Sequence, residues 1–187
     1  MVSHCYQLHL CMGDNIMNNY LSYVMLALIL LGCGTQNRVY NSKIYESISA
    51  CQGSQDMIGK SLNFYRRQLD YLNKFEYSTQ NDTIFILEMY GVQGNMLVTI
   101  WNKNKTLSCT NEQGDFECKN EPLFTKYMMK LVSEWNIPEI RKEEETNSNI
   151  LPNELIYATK IVFKKGKYQI DCIHFKEFFN LDRDSRN

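Results

Sequence analysis

Nine positions between Ile44 and Leu72 fix the first element of this chain. Ile44, Ile48, Cys51, Gln55, Ile58, Leu62, Tyr65, Leu69 and Leu72 advance by alternating steps of four and three. That spacing lays one stripe along a helix, and all but Gln55 can face a core. The stripe predicts a long N-terminal helix from about Asn41, with Asp56–Phe75 as its main helical section. Gly53 and Gly59 each cost about 1 kcal/mol in a helix interior, so a break near Gly53 is compatible with the pattern. Such a stripe needs a partner surface. Packing on the chain's own sheet is the simpler expectation; a coiled coil with another chain is the alternative.

The period then changes from 3.6 to 2. Thr83–Tyr90 is β-branched and aromatic, Gln93-Gly94-Asn95 can turn, and Met96–Trp101 resumes the extended pattern. Asn102–Lys105 leads into Thr106–Thr110, and Glu112–Asp115 turns towards Phe116-Glu117-Cys118. Asn120 with Pro122 reads as the start of a second helix, with Phe124, Tyr127, Met128, Leu131 and Trp135 on one face. Arg141–Asn149 reads as a polar connection. Leu155–Phe163 and Tyr168–His174 form a second hairpin, Phe175–Leu181 a short helix and Asp182–Asn187 a frayed end. The expected fold class is α+β: long N-terminal helix, antiparallel β-meander, second helix and C-terminal β-hairpin, with the helices on one face of the sheet. A single domain over residues 42–181 accounts for this order.

The most apolar segment lies outside that domain. Leu21–Leu31 is a run of apolar and small residues, followed by Gly32-Cys33-Gly34. About 11 residues at 1.5 Å each span roughly half of a 30 Å hydrocarbon core. The run is short for a transmembrane helix and suits the apolar region of a secretion signal. Leu30-Leu31-Gly32-Cys33 resembles the lipobox of bacterial lipoproteins. The resemblance implies cleavage between Gly32 and Cys33, with fatty acyl chains on Cys33. Translation from Met17 would give a compact signal, residues 1–32 being the discarded segment and residues 33–41 a polar tether. Each buried CH₂ contributes about 0.8 kcal/mol, so two or more chains hold a protein stably where one is marginal. By the same resemblance, Gly34 after the cysteine favours the outer membrane facing the periplasm.

Charge narrows the partners. The chain has 20 basic and 21 acidic residues. Asp14 is the only charged side chain in residues 1–32, so cleavage leaves a neutral domain. A nucleic-acid module would carry a basic excess, and none is present.

Thiols and histidines would carry any chemistry. Cys51, Cys109, Cys118 and Cys172 remain beyond Cys33, an even number that allows three pairings in an oxidising compartment. Cys109 and Cys118 flank the turn at Glu112–Asp115 and are the candidate disulfide. It would close a loop of about ten residues and contribute about 2–3 kcal/mol. Cys51 and Cys172 read as buried free thiols. Their spacings match neither a CxxC redox motif nor a zinc motif. His174 is the only histidine after the signal. Cys172 and His174 share a strand face, but i, i+2 spacing rarely supplies a thiolate–imidazole contact.

Glu143-Glu144-Glu145 reads as a solvated block rather than a cation site, and Lys164-Lys165 with Lys167 as a soluble hairpin tip. Tyr90, Trp101, Trp135, Tyr157 and Tyr168 could line a groove for glycan or peptide, with core burial as the commoner use of such residues. The expectation is therefore a lipid-anchored envelope protein with a non-catalytic binding or accessory domain. Its partners would be the membrane and a protein or glycan ligand, without nucleic acid, cofactor or metal. The alternatives are a small envelope enzyme using Cys172 and His174, and a structural protein oligomerising through its long helix.

Overall fold

The structure is a computed structural model, and it describes residues 40–53, 57–90, 95–111, 115–146 and 155–176. The chain divides into two units, Met1–Asn41 and Ser42–Asn187; the second is the α+β domain. Gly32, the signal run and residues 33–39 lie outside the described residues, while Tyr40 and Asn41, expected as the end of the tether, open the first helix. No described helix is long and apolar enough to cross a membrane.

The helical stripe is real but divided. Helix α1 covers residues 40–51, α2 Met57–Leu69 and α3 Tyr71–Lys74. Gly53 follows α1 with φ 68°, a left-handed conformation that glycine adopts without a Cβ clash. Asp70 ends α2 at φ 48°, and its carboxylate accepts from the Asn73 amide at 2.6 Å. Short polar side chains tolerate this region better than branched ones. The single long helix expected is therefore three pieces. They still keep Ile44, Ile48, Leu62, Leu69 and Leu72 at 1% exposure or less. Those five positions face the chain's own core, as packing on its own sheet requires.

Among the described residues, six strands form one antiparallel sheet in the order β4-β3-β2-β1-β5-β6. They are β1 Asn81–Tyr90, β2 Met96–Trp101, β3 Thr106–Thr110, β4 Glu117–Lys119, β5 Leu155–Lys164 and β6 Lys167–Lys176. The β5–β6 loop has just Lys165 and Gly166, at φ 51° and 74°. Two positive φ values match the right-handed twist of the flanking strands. Phe175 and Lys176 belong to β6, where a terminal helix was expected; the rest of that segment lies outside the described residues.

Two further helices follow the meander. Helix α4, Lys126–Ser133, starts later than Asn120 suggested: the Thr125 hydroxyl caps it by accepting from Met128 N at 3.2 Å. Trp135, at φ 51°, lies between α4 and α5, Ile137–Thr146. Asn136 Oδ1 accepts from Glu139 N at 3.3 Å, so Asn136, Pro138 and Glu139 open a helix where a polar connection was expected. Glu143 is correspondingly buried, and accepts a hydrogen bond from the Tyr127 hydroxyl at 2.9 Å.

Helices cover both faces of the sheet, not one. Successive residues of a strand point to opposite faces. On β1, Leu87 packs in a core with Phe124, Met128, Leu131 and Ile140 from around and within α4 and α5. Its neighbour Glu88 is bonded to residues of α2 and α3. Both are fully buried, as a central strand between two layers requires.

Candidate functional site

The thiols define the first candidate. Cys109 and Cys118 sit opposite each other on β3 and β4, with Cα atoms 4.1 Å apart, and are joined by a disulfide. Cys51 and Cys172 are joined as well, across a separation of 121 residues and with Cα atoms 5.9 Å apart. Free thiols were expected there. The bond ties the end of α1 to strand β6, a proximity that no local spacing announces.

This second bond removes the candidate dyad. Cys172 has no thiol to offer, and His174 is exposed beside the Tyr157 ring at 6.2 Å. Among the described residues no group of three or more His, Cys, Asp and Glu side chains could hold a metal ion.

Beside that disulfide lies a polar cluster that the sequence reading missed. Arg66 and Glu88 are both fully buried. Arg66 Nε donates to Glu88 Oε1 at 2.7 Å and Nη2 to Oε2 at 2.6 Å. Tyr71 adds a hydroxyl donor to Oε1 at 2.8 Å. The Gln52 amide donates to Glu88 Oε2 at 3.2 Å and to Thr159 Oγ1 at 3.1 Å, while its oxygen accepts from Arg66 Nη2 at 2.5 Å. Arg66 Nη1 reaches the Ser49 hydroxyl at 3.0 Å. Ionised groups survive such burial only when paired and hydrogen-bonded this fully.

Electrostatics follow the burial. Desolvation pushes the Tyr71 phenol well above its ordinary value, and Glu88 pushes it further. Burial likewise raises Tyr45, although Leu72 N donates to its oxygen at 2.9 Å. For Arg66 burial opposes the charge, but Glu88 overrides it and holds the guanidinium above its usual range. Arg66, Glu88, Tyr71 and Thr159 are buried and Gln52 is half-buried at the edge, so the cluster joins helices to sheet.

The aromatic candidates separate. Trp101 and Tyr157 are buried, and Trp101 stacks on Phe85 with centroids 5.7 Å apart. Trp135 is half-buried, with Lys160 Nζ 5.6 Å from its ring centroid. Tyr90 stands against Tyr65 at 5.8 Å, and the Tyr168 hydroxyl shares a 3.0 Å hydrogen bond with Ser47. They do not form one groove. Trp101 borders a cavity at the end of the sheet where β1 begins and β2 ends. Lys164, Lys165 and Lys167 stay exposed at their hairpin tip. No family model, curated protein or solved structure matches the chain.

Proposed function

We propose that this chain is a lipid-anchored protein of the bacterial cell envelope whose α+β domain works by binding rather than catalysis. The supporting observation is the Cys51–Cys172 disulfide. Such bonds persist in oxidising compartments, the destination that the lipobox resemblance at Leu30–Cys33 implies. The same bond consumes the one thiol that stood near a histidine, so the enzyme alternative loses its nucleophile. A neutral domain adds no field for steering nucleic acid. Acyl chains on Cys33 would hold the domain at the membrane, with residues 34–39 as the tether between lipid and fold.

The test compares detergent-phase partitioning of the native chain and Cys33→Ser. The native chain is expected in the detergent phase and the variant in the aqueous phase. Equal membrane association of the two would overturn the anchor.

A further inference from the structure

We propose that the Cys51–Cys172 disulfide is a redox latch. A thiolate from a dithiol reductant attacks Cys51, Cys172 leaves as a thiolate beside the Thr159 hydroxyl, and the end of α1 is freed from the buried Arg66–Glu88 pair. Neither the anchor at Cys33 nor the ligand of the domain enters into it.

The two disulfides differ in access. Cys51 is exposed at the end of α1, and Cys172 is half-buried on β6. Exchange depends on which sulfur an incoming thiolate can reach, and on how well the other sulfur carries away the negative charge. Both conditions point the same way at this bond. Thr159 is fully buried on β5, opposite Cys172, and its hydroxyl donates towards Cys172 Sγ at 3.8 Å. The Gln52 amide donates to the same hydroxyl oxygen at 3.1 Å, which leaves the one hydroxyl proton for the sulfur. A thiolate at Cys172 therefore forms beside a donor already aimed at it.

Cys109–Cys118 has the opposite arrangement. Lys74 Nζ lies 3.5 Å from Cys118 Sγ, so Cys118 is the sulfur better able to leave as a thiolate. The attack must then fall on Cys109, which is only 1% exposed. Charge and access agree at the first bond and conflict at the second.

Opening the first bond reaches the interior. Ser49, in the last turn of α1, accepts from Arg66 Nη1, and Gln52 bonds to Arg66, Glu88 and Thr159. These two residues close one side of the ion pair. Cys51 lies between them, and its bond to β6 pins that turn against the sheet.

The dithiol alone balances the exchange. Its first thiolate bonds to Cys51 Sγ as the Cys51–Cys172 bond breaks, and the electron pair stays on Cys172. Its second thiolate attacks the reductant sulfur bound to Cys51, which closes the reductant's own disulfide and releases Cys51. The two protons given up by the dithiol end on Cys51 and Cys172, so the protein gains two electrons and two protons.

In the test, free thiols of the full chain are first blocked with N-ethylmaleimide. Limiting dithiothreitol is then added, released thiols are alkylated with iodoacetamide, and peptide masses identify each cysteine. Cys51 and Cys172 should be released at least about tenfold faster than Cys109 and Cys118. Glutathione, a monothiol, should form its mixed disulfide on Cys51 and leave the free thiol on Cys172. Thr159→Val should slow the release by about threefold to tenfold, and Thr159→Ser should keep the parent's rate. A loosened fold would speed both disulfides, so the direction of the change separates support of the leaving thiolate from instability. After selective reduction, hydrogen exchange should rise across residues 40–52 and stay slow in α4. Equal rates at the two disulfides, glutathione on Cys172, or a Thr159→Val chain as fast as the parent would overturn the latch. So would loss of protection in α4 on reduction, which would make the bond a plain cross-link of the whole domain. Detergent partitioning through Cys33 reports on the anchor alone, so either reading can fail without the other.

Discussion

Arg66 and Glu88 meet through two parallel hydrogen bonds, 2.7 and 2.6 Å long, with neither side chain reaching solvent. The pair joins helix α2 to the central strand of the sheet. Its value lies in completeness, because desolvating each charge costs several kcal/mol and only a fully bonded partner offsets it.

Removing one partner should therefore cost far more than removing both. Glu88→Gln leaves the Arg66 charge buried without its counter-ion, and Arg66→Met leaves the carboxylate so. Each single change should destabilise by about 3–5 kcal/mol. The double change Arg66→Met with Glu88→Leu should cost less than either alone. Urea titrations at neutral pH measure all three, and additive losses would show that the two groups are not coupled.

Tyr71 extends this coupling to pH. Its phenol is raised by burial first and Glu88 second. An unfolded tyrosine ionises near pH 10, whereas the folded one keeps its proton, so above that pH the unfolded state binds fewer protons. Stability is undiminished below about pH 10 and falls above it by up to about 1.4 kcal/mol per pH unit for this group. At neutral pH, Tyr71→Phe should cost about 1–3 kcal/mol through the lost hydrogen bond. The deficit should shrink as pH rises past about 10, because phenylalanine has no proton to lose. Urea midpoints of the two proteins at stepped alkaline pH test this; parallel curves would refute it.

The caps give a prediction confined to one helix. Thr125 closes the N-terminus of α4 through a 3.2 Å bond from Met128 N. Thr125→Ala should destabilise by about 1 kcal/mol, and Thr125→Ser by much less. Asn120→Ala, at the exposed position that first suggested a cap, should be within about 0.5 kcal/mol of the parent. Thermal denaturation of the three variants distinguishes the assignments.

The strands and hairpins were legible because period and turn residues are local signals. Lys164–Lys167 shows this: its Lys-Gly centre needs two positive φ values, and the register follows from them. The layers were less legible. Ile84-Phe85-Ile86-Leu87 is a continuous apolar run, the mark of a strand covered on both faces, yet the turn that follows Tyr90 suggests only a hairpin and says nothing of a second layer. Arg66 had a signal as well. It lies four after Leu62 and three before Leu69, on the buried stripe, and Glu88 interrupts an apolar strand. Charged residues are rarely buried, and nothing local marks these two as partners. The Cys51–Cys172 contact had no local signal, since four cysteines allow three pairings and nothing near either residue chooses among them. The cavity at Phe85 and Trp101 depends on where α4 stops, and that is a tertiary fact.

The two disulfides should differ in what they contribute. In the chain-entropy account, stabilisation grows with the logarithm of the loop that a bond closes. Cys109–Cys118 closes about ten residues and should contribute about 2–3 kcal/mol, while Cys51–Cys172, separated by 121 residues, should contribute about 5 kcal/mol. Position reinforces the order. Gln52, next to Cys51, bridges Glu88 and Thr159, so freeing the end of α1 also loosens the buried pair's outer contacts. Cys51→Ala with Cys172→Ala should therefore lower the urea midpoint more than Cys109→Ala with Cys118→Ala, and should raise hydrogen exchange at Gln52. Equal losses from the two double variants would mean that the long loop is already restrained in the unfolded chain. A larger loss from the Cys109–Cys118 pair would contradict the assigned order outright.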